Sequence, residues 1–571
     1  MTKRRQAASY GDEGFSLFLR RAFARHMGHS AEDWEKPVIG ICNTKSEVNR
    51  CHTHFDRIVE AIKRGVLMAG GIPLEFPTIS LGESFTSPTT MLYRNLAAMD
   101  TEEMIRAQPL DGVVLIGGCD KMTPAQLMGA ASANIPSIMI TGGPMNNGEY
   151  EGQTLGACSD CRYFWQEYRS GTVDEEELEE INKALAPTAG HCMVMGSAST
   201  MAAASEALGM MLPGGAAIPA ADNRKLEEAQ SAGKQIVKLV HEQLLPSYIM
   251  TEKAFENAVR MLMAIGGSTN AVIHLVAIAG RLGIELPLER FDEIGRETPF
   301  IANLRPAGKY QMQEFYYAGG ARAVMKELES YFYTDQLTVT GESHVDNLKD
   351  VTLSSHYRHV IKPADAPLHE GEGIAFLRGS LAPNGAVIKP KAASEHLLVH
   401  EGRAVVFESV KDMQNKVEDP DLDVEPDDIL VLKNTGPVGA PGMPEAGMLP
   451  IPAKLLKRGV RDMVRISDCR MSGTAFGTVV LHVAPESAVG GPLDLVENGD
   501  FIRLDVPARK LDLLVDDQEL ENRKKERQKS TCSSIRGYEK LYREHVLQAD
   551  KGCDFDFLVA ESLQSENNRL R

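Results

Sequence analysis

Between residues 37 and 143 short strand-like runs alternate with helical ones, and few folds accept that alternation. "PVIGICNT" (37–44), "IPLEFPTIS" (72–80), "DGVVLIGG" (111–118) and "PSIMITGG" (136–143) read as strands. "HFDRIVEAIKRGVLMAGG" (54–71), "MLYRNLAAMDTEEMIRAQ" (91–108) and "TPAQLMGAASAN" (123–134) read as helices; Gly-Gly stops the first and Pro124 stands near the start of the third. Such a succession implies a mainly parallel, doubly wound sheet with helices on both faces. A helical middle follows, including residues 251–283. From about residue 370 short β-rich runs cut by Gly and Pro take over, among them "GAVIKP", "RAVVFES", "DILVLKN" and "GTVVLHV". "DFIRLDVPARKLDLLV" (500–515) adds a hairpin whose inner pairing Pro507 limits. The 571 residues exceed what one core can organise. The expected fold is therefore α/β: an N-terminal mainly parallel domain over 1–370 and a smaller, barrel-like β-rich domain over 371–571, with the boundary near 364–376.

A formal net charge of −18 argues against a nucleic-acid partner, which would need a basic patch. It does not exclude a small anionic substrate, because a bound cation reverses the local field. The basic start "MTKRRQAASYGDEGF" has no apolar run behind it, so no secretory signal is expected. No stretch approaches the roughly 18 apolar residues of a membrane span. A soluble, cytoplasmic protein is expected. Nine cysteines (42, 51, 119, 158, 161, 192, 469, 532 and 553) form no dense disulfide framework, and an odd number favours reduced thiols, some of them metal ligands.

In open α/β sheets ligands bind beyond the carboxyl ends of the strands. Past the first three strands stand "NTKSEVNRC" ending in Cys51, "LGESFTSP" with Glu83, and the triplet Cys119, Asp120, Lys121. Two thiols, two carboxylates and an amine thus share one rim. That combination puts a metal site on a par with a rim of ordinary polar loops.

These blocks carry a resemblance. "GESFTSPTTMLYRN", "GGCDKMTPA", "MGSASTMAAASEALGM" (195–210), "AIGGSTNAVIHL" (264–275), "GPVGAPGMPE" (436–445) and "SDCRMSGTAFGTVVLHVAPE" (467–486) are similar to the IlvD/Edd dehydratases, a family of dihydroxy-acid, phosphogluconate and aldonic-acid dehydratases. The likeness runs from about residue 35 to the C-terminus, and "GYEKLYREHVLQADKGCDFDFL" (537–558) resembles the sugar-acid branch. The resemblance implies a 2Fe–2S cluster on Cys51, Cys119 and Cys192. Three ligands instead of the conventional four leave an iron position open to act as a Lewis acid. It implies Mg²⁺ on Glu83, Asp120 and Glu445, with Lys121 as a fourth ligand. An ammonium has no lone pair, so Lys121 would have to be carboxylated; the ordinary reading is a salt bridge to Asp120 or Glu83. It implies Ser472 as the base, activated by its surroundings, with Thr474 as a neighbour of substrate or serine. The implied enzyme is a hydro-lyase converting a 2,3-dihydroxy carboxylate, an aldonic acid, to a 2-keto-3-deoxy acid, working as a homodimer or homotetramer on a small polyhydroxy acid.

Two stretches depart from the sugar-acid pattern, "NTKSEVNRC" before Cys51 and Met193-Val194 after Cys192, which bears on the substrate pocket. Cys158 and Cys161 form a Cys-x-x-Cys with no second pair at zinc spacing, and read as unremarkable thiols. Cys42 reads as core, Cys469 receives no role, and His52, His54 and His191 read as hydrogen-bonding neighbours of the ligands. The closest rival substrate is the branched dihydroxy acid of valine and isoleucine synthesis. A non-catalytic iron–sulfur protein would want a fourth cysteine, for which Cys158, Cys161 or Cys42 are the candidates. A zinc hydrolase is disfavoured, since no H-E-x-x-H motif is present.

Overall fold

The computed structural model describes residues 11–30, 32–371, 373–527 and 536–560. Its first sheet holds β1 (Val38–Asn43), β2 (Ile72–Pro77), β3 (Gly112–Gly117) and β4 (Ser137–Thr141), all parallel, in the order β2-β1-β3-β4. β1, β3 and β4 are buried along their whole length, and VIGICN, GVVLIG and SIMIT supply the apolar side chains that two covered faces require. β2 is an edge strand, where its two prolines are tolerated.

The helices that position the site are α1 (Phe55–Met68), α2 (Arg94–Ala107), α3 (Met122–Ala133), α4 (Ser159–Ser170), α5 (Ser197–Ala207), α6 (Arg224–Glu242), α7 (Glu252–Ala264) and α8 (Asn270–Gly280). Right-handed crossovers in this strand order put α1 on one face and α2 and α3 on the other. α6 joins α1, and the two approach almost backbone to backbone: a β-carbon on Gly65 would lie 2.0 Å from Gln230 O, and one on Gly233 2.3 Å from Ile62 O. The helical run 251–283 is broken between α7 and α8 at Gly266, whose φ of +57° and closeness to the Phe300 ring exclude a side chain.

The second sheet has eight strands: β5 (Ala375–Leu377), β6 (Gly385–Ile388), β7 (Val399–Phe407), β8 (Ile429–Leu432), β9 (Arg465–Ser467), β10 (Val479–Ala484), β11 (Phe501–Asp505) and β12 (Lys510–Leu513). Their order is β12-β11-β7-β8-β9-β10-β6-β5, with β7 to β10 parallel and the flanking pairs antiparallel. The two edges meet where Arg378 N donates to Arg509 O (2.9 Å) and Leu511 N to Arg378 O (3.0 Å), so the sheet is a nearly closed barrel. Closure removes exposed strand edges, and the interior is filled by its own aliphatic cluster, including Ile429, Val431, Ile466 and Ile502. The fold is thus α/β, a parallel sheet followed by a barrel-like one.

Residues 538–558 return to the first sheet's helices. The buried Arg94 guanidinium donates to the carbonyls of Gly552 (2.9 Å) and Cys553 (2.8 Å), and Arg281 grips Asp554 with two bonds of 2.5 and 3.0 Å. Among the described residues no helix is long and apolar enough to cross a membrane.

Candidate active site

The order β2-β1-β3-β4 reverses direction between β1 and β3, and the crevice beyond such a switch point is where ligands sit. The loop after β1 delivers Arg50 and Cys51 there, and the turn after β3 delivers Cys119, Asp120 and Lys121. A cavity of about 210 Å³ opens at this point, lined by Cys51, Cys119, Cys158, Cys192, Ser472 and Glu445 among others.

Its thiol side is held from behind by His52. The Cys119 N–H donates to His52 Nε2 (2.7 Å), which leaves the ring's proton on Nδ1 to donate to Thr44 O (2.7 Å). Burial keeps this imidazole neutral, its pKa pulled down to about 3, so the tautomer is fixed. Cys119 is hydrogen-bonded to Cys51, and that bond together with burial holds the Cys119 proton on well above the ordinary thiol range. Cys192 lies 3.2 Å from Cys158, sulfur to sulfur, and Arg50 Nη2 reaches the Cys192 sulfur at 3.6 Å. The bond from Cys158, helped by Arg50 and opposed by burial, pulls the Cys192 pKa down to about 6.

The carboxylate side begins one residue after Cys119. Oxygens of Glu83, Asp120 and Glu445 lie within 4.8 Å of one another. The fully buried Lys121 ammonium sits among them, bonded to Asp120, 3.1 Å from Glu445 and 3.6 Å from Glu83. Burial would raise the Glu83 carboxyl, but Lys121 and Arg470 outweigh it and hold the pKa at about 2. Burial and Arg470 work against the Lys121 charge, and the three carboxylates outweigh both. Thr89 Oγ1 donates to Glu83 at 2.7 Å, and Arg470 links that threonine to the barrel loop: its guanidinium donates to Thr89 Oγ1 (3.1 Å), Glu445 (3.1 Å) and Met443 O (2.9 Å). Asn270, opening α8, donates to Glu445 (3.2 Å) and Ser197 (3.0 Å), while its own Oδ1 is buried without a partner.

Glu445 and Ser472 follow the carboxyl ends of the parallel barrel strands β8 and β9, so the barrel obeys the same rule as the first sheet. Ser472 Oγ is 2.8 Å from Thr474 Oγ1. Gly473 between them lets this turn press onto the start of α5, because a β-carbon there would lie 2.5 Å from Ser268 Oγ and 2.7 Å from Ser197 N.

All nine residues singled out from the sequence therefore gather here; Lys121 lies beneath the cavity wall and the other eight line it. The histidines take the places expected of neighbours: His54 bonds to Gly142 O (2.9 Å) and His191 Nδ1 to Cys192 O (3.1 Å). Cys42 is core and Cys469 is buried away from the cavity, while Cys532 lies outside the described residues. Several residues at the site received no role from the sequence. Arg470 and Asn270 stand inside quoted blocks, so a signal existed; Arg162 and Cys158 stand outside them. Cys158, read as unremarkable, faces the cavity beside Cys192.

The donor set suits two kinds of metal. Soft thiolates select iron–sulfur chemistry, and clustered carboxylates select a hard cation such as Mg²⁺. An unspent buried acceptor, Asn270 Oδ1, beside the carboxylates fits a site built for a cation.

The fold and this site define a two-part α/β protein whose two sheets build one thiol and carboxylate site between them. The chain belongs to the dihydroxy-acid/6-phosphogluconate dehydratase family, whose N-terminal model matches residues 36–347 and whose C-terminal model matches 359–553. It is 50% identical to the L-arabinonate dehydratase of Rhizobium leguminosarum bv. trifolii over 97% of this chain and 96% of that protein. It is 46% identical to the 6-deoxy-6-sulfo-D-gluconate dehydratase of Pseudomonas putida, over 96% of each. The dihydroxy-acid dehydratase of Ignicoccus hospitalis is 40% identical over 95% of this chain and 99% of its own length.

Proposed function

We propose that the protein is a hydro-lyase that dehydrates an aldonic acid to its 2-keto-3-deoxy acid. The observation that carries this reading is that one cavity joins the thiols, the carboxylate triad and Ser472. Sugar-acid substrates are favoured because relatives named for arabinonate and sulfogluconate are 46–50% identical and a dihydroxy-acid dehydratase is 40% identical.

A 2Fe–2S cluster on Cys51, Cys119 and Cys192, and Mg²⁺ on Glu83, Asp120, Glu445 and a carboxylated Lys121, would supply Lewis acidity toward the departing 3-hydroxyl and toward the substrate carboxylate with its 2-hydroxyl. Without that modification Lys121 is the counter-ion of the triad. Ser472 acts as the alkoxide, which the neighbouring cation would stabilise; it takes the proton from C2 and becomes a neutral hydroxyl, and Thr474 at 2.8 Å donates to the alkoxide and orients it. Arg470 and Asn270 hold Glu445, and Thr89 holds Glu83, so the charge that develops on the substrate meets groups already in place. The enol released from this cavity then tautomerises to the keto acid.

The test is 2-keto acid formation by anaerobically reconstituted, Mg²⁺-supplied protein on a panel of pentonates, hexonates and branched dihydroxy acids. Turnover of sugar acids, lost in Cys119→Ser and Ser472→Ala, supports the reading. Turnover of branched acids alone would reassign the substrate, and no turnover by protein with a full cluster would refute the reading.

A further inference from the structure

The cavity holds four thiols, one more than the family's cluster uses. They come in two pairs: Cys51 is hydrogen-bonded to Cys119, and Cys158 stands 3.2 Å from Cys192. Two pairs of thiols on one cavity are the donors an all-cysteine 2Fe–2S centre requires, two sulfurs to each iron. Cys158 is held in place for this. It opens α4 with φ +76°, a backbone region that a residue with a side chain rarely enters, and its N–H donates to the Cys161 sulfur at 3.2 Å. Arg50 spans the second pair, with Nη2 at 3.6 Å from Cys192 and 4.0 Å from Cys158; among the described residues it has no carboxylate partner. A cation shared between two sulfurs suits two thiolates on one iron better than it suits two neutral thiols.

We propose that Cys158 is an exchangeable fourth ligand of the cluster, which closes the iron position beside Cys192 until a substrate hydroxyl displaces it. The inference rests on the cluster assigned under Proposed function. On closing, the iron–oxygen bond to the departed hydroxide breaks, an iron–sulfur bond forms at Cys158 Sγ, and the thiol proton leaves with that hydroxide as water. On opening, that bond breaks, an iron–oxygen bond forms to the hydroxyl, and the thiolate takes a proton back. No electrons move, so no oxidant or reductant is needed. The resting enzyme then presents no open iron to water or oxygen, and Cys161 and Arg50 keep the displaced sulfur close enough to return.

The test uses full-length protein, anaerobically reconstituted, in a Ser472→Ala background so that added aldonate is not consumed. Resonance Raman and Mössbauer spectra are recorded with Cys158 intact, with Cys158→Ala and with Cys158→Ser, each alone and with L-arabinonate, D-xylonate or D-gluconate. The expected result is that the Cys158 protein alone differs from Cys158→Ala, and that a bound aldonate makes the two converge. A second readout needs no variant at residue 158: alkylation by iodoacetamide, located by peptide mass spectrometry, should label Cys158 severalfold faster once aldonate is bound. Identical spectra without aldonate, or a Cys158 signature that no aldonate removes although the aldonate changes the Cys158→Ala spectrum, would overturn the proposal. Failure of the underlying cluster assignment would look different: protein with Cys158 intact would take up no iron and sulfide at all.

Discussion

Gly473 offers a way to move the proposed base without touching a metal ligand. In Gly473→Ala the new β-carbon would lie 2.5 Å from Ser268 Oγ and 2.7 Å from Ser197 N. Ordinary contact begins near 3.4 Å, so the turn must retreat by roughly 0.7–0.9 Å. Ser268 cannot simply rotate away, because its hydroxyl pairs with Ser197 Oγ at 2.8 Å and accepts from Asn270 N at 3.2 Å. The overpacking costs about 1–3 kcal/mol. The displacement of Ser472 Oγ is the larger consequence, since about 1 Å of misplacement costs on the order of 100-fold in rate. Steady-state kinetics should therefore show kcat falling about 100-fold with KM, Mg²⁺ dependence and iron content unchanged. A kcat within about threefold of the parent would refute the assignment of the proton transfer to this turn. So would a matching loss of iron, which would show that the site had collapsed instead.

Arg470→Lys keeps the charge but cannot reach Thr89, Glu445 and Met443 together, and each charge-assisted bond lost is worth about 1.5–3 kcal/mol. The Mg²⁺ concentration for half-maximal activity should rise at least about tenfold; an unchanged titration would contradict the linking role given to this guanidinium. Asp554→Asn leaves the buried Arg281 with Glu102 (3.2 Å) as its remaining carboxylate among the described residues, beside the Ser132 hydroxyl (3.1 Å), a loss of about 3 kcal/mol, so calorimetry should show a lower unfolding midpoint. An unchanged midpoint would mean that the C-terminal segment is not held through this pair. Lys389 is buried with no hydrogen-bond partner, and burial lowers its pKa from 10.5 to about 8. Because the folded value is the lower one, the penalty of about 3 kcal/mol is complete below pH 8 and fades as pH rises from 8 toward 10.5. Lys389→Met should be more stable than the parent at pH 7 and lose most of that advantage by pH 10; equal stability at pH 7 would exclude a buried charge there.

The first sheet was legible because burial on both faces forces near-continuous apolar strands, and VIGICN, GVVLIG and SIMIT have no other simple reading. The site was legible for a related reason. Strand ends are marked by where apolar runs stop, so Cys51, Glu83 and the Cys119–Asp120–Lys121 turn could be assigned to one rim from local pattern alone. What could not be read depended on contacts between distant segments. The barrel's closure hangs on Arg378 meeting residues 509–511, 131 or more positions away, through backbone bonds that carry no side-chain signature. The pairing of Cys158 with Cys192 spans 34 positions, and the local Cys-x-x-Cys spacing, read as two unremarkable thiols, carries no sign of it. Lys121 shows the same limit in charge: three carboxylates from three loops fix its ammonium, and only one of them, Asp120, is adjacent in sequence.

The juxtaposition of Cys119 and Asp120 sets the geometry of everything else. Cys119 and Asp120 share one turn with their side chains 3.3 Å apart, so a soft donor and a hard donor there would place the two proposed metal sites a single residue apart. A substrate that must meet both needs its two reacting oxygens on neighbouring carbons, as a 2,3-dihydroxy acid has. The thiols all come from residues before 193, whereas Glu445 and Ser472 come from the barrel. The first part of the chain thus carries every proposed cluster ligand but only two of the three carboxylates, and it lacks the proposed base. Contacts across the junction complete the site: Lys121 to Glu445 at 3.1 Å, Arg470 to Thr89 at 3.1 Å, and Gly473 against Ser197 and Ser268. A protein that only carried electrons would have no use for that junction, because its cluster would be finished before the barrel begins.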